Sequence, residues 1–247
     1  MTSSFISKVY AILSDLFFPQ TCLFCKTGGN ICCQKCFADI PLKIRLENNT
    51  LSLYHFSEPK INKLIWQLKY HHGGDIAKIF GVVLAEKLEK ILFPIFPPTT
   101  QNIYLIPIPL NLSDKRLHNH AELLAKEISL ALNIPPSRYA RGPLLRGPST
   151  QEHLSVNIFV LNNLLIKNSK QRQSHTKGRA ERFENIKDAF SITAGTSAPE
   201  QSGTQNNIYI LVDDVTTSGA TLAEARKTLA PFLHLPESDI FSITVAY

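Results

Sequence analysis

Residues Ile208 to Thr221 read IYILVDDVTTSGAT, an apolar run that ends in two carboxylates and breaks into a turn of small and hydroxyl-bearing residues. Ile208, Ile210 and Val212 alternate with Tyr209 and Leu211, and apolar residues in succession between turn signals predict a buried parallel strand. Asp213 and Asp214 then fall at its carboxyl end, where open α/β sheets bind ligands. Thr216, Thr217, Ser218, Gly219, Ala220 and Thr221 supply hydroxyls and close backbone approach, and Leu222 to Leu229 continues as a good helix. A phosphate at that junction meets free N–H groups and the positive end of the helix dipole. The carboxylates repel phosphate but accept hydrogen bonds, which suits them to neighbouring sugar hydroxyls or to a divalent cation. A pair that only caps the next helix, or that holds Mg²⁺ in another phosphotransfer fold, fits the same residues.

VDDVTTSGAT resembles the phosphoribosyl pyrophosphate (PRPP) loop of type I phosphoribosyltransferases, a hydrophobic strand followed by DD and a TTG-type turn. Ser218 replaces the commoner second Thr and keeps the hydroxyl. The resemblance implies that Asp213 and Asp214 hold the ribose hydroxyls and that Thr217 to Thr221 hold the 5′-phosphate.

The cysteines give the second signal. Cys22-x2-Cys25 is followed after seven residues by Cys33-x2-Cys36, with Gly28, Gly29 and Asn30 between them. Two such knuckles place four thiolates in tetrahedral reach of one structural Zn²⁺. Cys32 is a surplus thiol that competes with Cys33 as a ligand, although only Cys33 gives the x2 spacing to Cys36. A redox CxxC and two disulfides are the rival readings, and without a secretory signal zinc in a reducing cytoplasm is favoured.

A zinc knuckle ahead of a PRPP loop is similar to the ComF family of bacterial proteins associated with DNA uptake. Further segments carry that resemblance: LIWQLKY (64–70), the strand end IPIP (106–109), RLHNHAELLA (116–125), which keeps the Arg, Asn and helix start of the family's RGFNQAELLA, and RFENI (182–186) followed by Ala189-Phe190. The family's T-x-x-Q-x-x-L is not cleanly present. The resemblance implies a PRPP-binding protein of natural transformation that uses Mg²⁺ and contacts single-stranded DNA and competence-machinery proteins. Lys69, Arg116, Arg179 and Arg182 are its candidates for handling pyrophosphate. A metabolic phosphoribosyltransferase acting on a nitrogenous base, and a PRPP sensor without turnover, remain the alternatives.

The expected fold is α/β, a parallel sheet flanked by helices, with a zinc-binding module over residues 1–48 and a phosphoribosyltransferase-like domain over 49–247. Leu51 to Phe56 reads as a strand, the segment around Ile61 to Leu68 and Asp75 to Leu92 as amphipathic helices, and 93–102, with three prolines, as a loop. Ile103 to Ile108 and Ser113 to Asn133 form a βα unit. The apolar positions between Phe5 and Phe18 mark an amphipathic helix rather than a membrane span or signal peptide, since Lys8 and Asp15 interrupt them.

The chain has 26 basic and 20 acidic residues, and the stretch 166–187 alone carries seven basic against two acidic ones. It is expected as a mobile polar loop over 162–187, closing over pyrophosphate, contacting nucleic acid or only solvated. Trp66 reads as packing beside the apolar stripe of its helix. His71-His72-Gly73-Gly74 reads as a phosphate nest or a helix C-cap. His118 and His120, with no carboxylate or Cys at ligand spacing, do not predict a second metal site. No Walker A or Gly-x-Ser-x-Gly stretch supports ATPase or serine hydrolase chemistry.

Overall fold

The structure, a computed structural model, describes residues 20–110, 118–133, 156–168, 187–196 and 206–247. The chain divides into two compact units, one ending at Pro41 and one from Leu42 to Tyr247. The division precedes the expected 48/49 boundary because strand β1 (Arg45–Glu47) pairs with β2 (Thr50–Tyr54) and so belongs to the second unit. The expected amphipathic helix before Phe18 lies outside the described residues.

In the first unit, the N–H of Lys26 bonds to the carbonyl of Cys22 and that of Leu23 to Ile31. Lys26 and Gly29 take left-handed backbone angles, φ 65° and 109°, which let each turn reverse tightly. A five-residue helix, α1 (Gln34–Ala38), follows Cys33.

The second unit is built on a six-stranded sheet in the order β1-β2-β8-β7-β3-β4, with β3 at Thr100–Pro107, β4 at Asn157–Val160, β7 at Asn206–Val215 and β8 at Ile240–Ala246. Only β1 runs antiparallel to its neighbour; the other pairings are parallel. Parallel strands require crossovers, and helices supply them: α2 (Pro59–Tyr70) and α3 (Gly73–Lys87) between β2 and β3, α4 (His120–Asn133) between β3 and β4, and α5 (Ala220–Leu233) between β7 and β8. The α/β class and the largely parallel sheet flanked by helices agree with the sequence.

Strand β7 is central, and its alternation divides the core. Tyr209 and Leu211 pack with Leu222, Ala225, Leu229 and Leu233 of α5. Rings cross the strands here, with Tyr104 stacked on Tyr209 at 5.2 Å and on Phe159 at 5.3 Å. Helices α3 and α4 pack together so closely that a Cβ on Gly81 would lie 2.5 Å from Cβ of Glu127. Gly81→Ala is therefore expected to lower stability by about 1–3 kcal/mol through overpacking. Helix propensity alone would give a gain of about 1 kcal/mol, so the sign of the shift in a urea midpoint decides whether the close approach governs.

Several boundaries differ from expectation. Helix α4 starts at His120 rather than Ser113, because Asn119 caps it: its Oδ1 accepts the N–H of Ala121 at 3.0 Å, and its Nδ2 donates to the carbonyl of Ile108 at 3.1 Å. Residues 111–117 lie outside the described set. Helix α3 passes into a π turn (Leu88–Leu92) and a 3₁₀ turn (Phe93–Ile95), and β3 begins at Thr100 inside the expected 93–102 loop. Gly73 and Gly74 are the first residues of α3 and not a nest. The expected 162–187 loop opens with a strand, β5 (Leu165–Lys167), paired antiparallel to β6 (Phe190–Ile192). Leu164, Leu165 and Phe190 anchor this ribbon by burial in the α5-side core. Residues 169–186, with most of the basic side chains, lie outside the described residues.

Candidate functional site

Strand β7 carries Asp213 and Asp214 to the carboxyl edge of the sheet, and the chain then turns into α5. The N–H of Thr216 bonds to the carbonyl of Ala246 at the end of β8, at 2.9 Å, and fixes the turn against the sheet. Gly219 occupies the N-cap position with φ 77°, a left-handed angle that strains any residue with a Cβ. Ser218 Oγ accepts the N–H of Ala220 at 3.4 Å. Ala220 is buried as the first residue of the helix, so it and Thr221 belong to α5 rather than to the turn. The first N–H groups of α5 lack intrahelical acceptors and, with the helix dipole, make this end electropositive.

Thr216, Thr217, Ser218 and Gly219 form one wall of a pocket of about 240 Å³. The pocket is also lined by Thr50 and Ser52 of β2, Arg226 of α5, the ion-paired Arg45 and Glu47 of β1, and Tyr247. Arg226 is buried, and its Nη2 donates to Thr50 Oγ1 and Ser242 Oγ, both at 2.7 Å. These acceptors are neutral, so a second positive group borders the same pocket as the helix terminus.

The two carboxylates lie beneath this edge, both buried. The sequence separates their surroundings by long stretches of chain that the fold closes. Lys69, near the end of α2, places Nζ 2.7 Å from Asp214 Oδ2, and His120, at the start of α4, places Nε2 3.4 Å from Asp214 Oδ1. The N–H of Val215 donates to Asp214 Oδ1 at 2.9 Å, and that of Asp214 to Asp213 Oδ1 at 2.8 Å. Burial acts to raise the pKa of Asp214, but His120 and Lys69 outweigh it and hold the carboxyl below the usual range. Asp213 is pushed well above that range by burial and by the charge of Asp214. The pair thus divides into one firmly ionised carboxylate and one that resists ionisation.

His120, Asp213 and Asp214 each offer a ligand atom within 4.8 Å of the others, so this cluster could hold a metal ion. Spacing along the chain around His118 and His120 does not predict such a cluster; the fold brings Asp213 and Asp214 to His120 from a distant strand. No signal in the local sequence could have found it, since the partners come together only across the β3–β7 pairing. Of the residues expected to handle pyrophosphate, Lys69 is brought to the carboxylates; Arg116, Arg179 and Arg182 lie outside the described residues. Lys167, in β5, sits over the ring of Phe190 at 5.7 Å.

In the first unit, the thiols of Cys22, Cys25, Cys33 and Cys36 all lie within 4.8 Å of one another, close enough to hold one metal ion. The Sγ atoms of Cys25 and Cys33 are 3.5 Å apart, against about 3.8 Å for two sulfurs on a tetrahedral metal at 2.3 Å. Cys32 Sγ instead faces the carbonyl of Cys33 at 3.8 Å, so Cys33 belongs to the cluster and Cys32 does not. Burial pushes the Cys22 thiol up, but N–H groups of Cys25, Cys33 and Phe24 aimed at its sulfur bring it down to about 6. Burial and the three neighbouring sulfurs push Cys36 up to about 12. Four sulfurs this close can all ionise only with a cation among them, because binding a metal displaces the thiol protons. All five cysteines are free thiols, which removes the two-disulfide reading.

Among the described residues no helix is long and apolar enough to cross a membrane. Neither a scan against protein-family models nor a search of curated proteins finds a match to this chain.

Proposed function

We propose that this chain binds PRPP at the β7–α5 junction, with Mg²⁺ on the pyrophosphate, in a type I phosphoribosyltransferase-like fold of the ComF kind. The reading is carried by one observation. An Asp-Asp strand end leads through a hydroxyl-rich turn with a left-handed Gly219 into a helix N-terminus beside a pocket bordered by Arg226. In that reading the turn and the helix dipole hold the 5′-phosphate, and Asp213 and Asp214 accept bonds from the ribose. Lys69, with Arg116, Arg179 and Arg182, neutralises the pyrophosphate. Loss of pyrophosphate asks mainly for positioning and charge stabilisation, which such groups supply. The four-cysteine cluster holds a structural zinc ion, as its all-sulfur donor set favours. In a cell the protein acts in the cytoplasm in DNA uptake, touching single-stranded DNA and the competence machinery.

A titration of the purified protein with PRPP and Mg²⁺, followed by incubation with a panel of nitrogenous bases, tests this. PRPP binding without pyrophosphate release fits a binding protein of DNA uptake. Release with one base makes the chain a metabolic phosphoribosyltransferase. Absence of PRPP binding overturns both readings.

A further inference from the structure

The outer face of α2 is built from rings and lysines. Helix α2 reads PKINKLIWQLKY and contains three lysines and no acid. Its inner face, with Ile61, Leu64, Ile65 and Leu68, is buried. Trp66 and Tyr70 instead point outward, 49% and 56% exposed, which corrects the expectation that Trp66 packs with the apolar stripe. The rings cluster: Trp66 lies 5.9 Å from Tyr70 and 4.5 Å from His71. Toward the start of the helix, Trp66 borders an open hollow of about 470 Å³ lined by Phe56, Ser57, Pro59, Asn62 and Lys63. The residues that follow Trp66 therefore brace its ring, and the residues that precede it form a space beside the ring.

We propose that this face is a stacking platform for single-stranded nucleic acid, in which a base enters the hollow against Trp66 while Lys63 and Lys60 meet the flanking phosphates. Exposed rings are costly to leave in water and stack with any base, since every base presents a π face. The helix charge selects a polyanion: α2 carries three lysines and no acid, Lys63 lines the hollow, and Lys60 lies one turn before Lys63. The hollow sets Asn62, Ser57 and Lys63 beside two rings and Pro59, so a base finds rings for its face and polar groups for its edge. The inference rests on the proposed function only for the class of partner. It places DNA contact on α2 rather than on the basic stretch 166–187.

The chain contains a single tryptophan, so its intrinsic fluorescence reports this position alone. A single-stranded oligothymidylate of about 16 nucleotides should quench it saturably, and a duplex of the same length should not. Trp66→Ala should weaken binding, followed by anisotropy of a labelled strand, roughly tenfold or more, whereas Trp66→Phe should retain most of the affinity. Lys60→Glu with Lys63→Glu should flatten the log–log salt dependence by about 1.4, or ~0.7 for each phosphate that is no longer neutralised. All three variants change outward or half-buried side chains and should keep PRPP binding. Unchanged Trp66 fluorescence at saturating DNA, with wild-type affinity in Trp66→Ala, overturns the platform and leaves DNA contact elsewhere intact. No binding of single strands by the wild type overturns both the platform and the DNA half of the proposed function, while PRPP binding stands or falls separately.

Discussion

Replacing Asp213 and Asp214 separately by Asn is expected to move stability in opposite directions at neutral pH. Asp213 resists ionisation because it is buried beside the charge of Asp214. A carboxyl raised in this way favours the folded state at low pH and loses that contribution as pH rises from about 4 through its folded value. Asp213→Asn removes that penalty, and the Oδ1 of the new amide can still accept the Asp214 N–H now bonded at 2.8 Å. A gain of about 1 kcal/mol at pH 7, shrinking toward pH 4, follows. Asp214 is the reverse case. Burial works against its ionised form, yet His120 and Lys69 hold its pKa down, so its contribution is present above about pH 4 and lost only as pH falls through the depressed folded value. Asp214→Asn leaves the Lys69 ammonium without its carboxylate. Because that lysine side chain keeps 24% exposure, the loss should be about 2–3 kcal/mol, below the cost of stranding a fully buried ion. Adding Lys69→Met to Asp214→Asn should then cost little more. On the proposed function, PRPP affinity falls in both variants, by about 2 kcal/mol each. Urea unfolding at pH 7 and pH 4 separates the two signs; equal destabilisation by both substitutions would refute the division of charge between the carboxylates.

The parts of this site legible in the sequence are those confined to a few neighbouring residues. Alternation along β7, the turn after Asp214 and the start of α5 are local consequences of side-chain periodicity and of a glycine where a left-handed angle is required. The x2 spacing of the cysteines is local in the same sense. His120 and Arg226 are not legible in this way. His120 meets Asp214 only because the β3–α4 connection ends beside β7, a long-range pairing that no short window contains. Arg226 sits in the helix expected after the turn, where nothing in the local pattern marks it out, yet it is buried against the hydroxyls of Thr50 and Ser242. Those hydroxyls come from β2 and β8, strands that no window around Arg226 brings near it. Trp66 departs from its sequence reading for a related reason: one turn of helix places it beside the apolar stripe, and only the packed helix shows which side of the stripe faces water. Strands β5 and β6, three residues each, are too short for a period of two to emerge.

Removing Cys22, Cys25, Cys33 or Cys36 is expected to unfold the N-terminal unit while leaving the second unit folded. Its buried apolar side chains beyond the cysteines are few among the described residues, with Ile31, Phe37 and Ile40 foremost, and α1 is a five-residue helix without a side-chain cap. So small a core does not offset the entropy of ordering the chain. A metal bound by four thiolates does, because apparent binding free energies of about 10–16 kcal/mol become folding free energy where no site exists in the unfolded chain. Freshly reduced protein should therefore contain about one zinc per chain, and Cys36→Ser should bring that close to zero. Cys32→Ser supplies the contrast. Its sulfur faces the Cys33 carbonyl and not the cluster, so this variant should keep the metal, with only the modest loss of a buried thiol. The β-sheet circular dichroism and the urea transition of the second unit should survive in Cys36→Ser, since no residue of the sheet depends on the cluster for its pairing. Elemental analysis that finds no zinc in reduced wild-type protein would sink the metal assignment. Equal metal loss from Cys32→Ser and Cys33→Ser would instead mean that the fourth sulfur of the cluster had been assigned to the wrong residue.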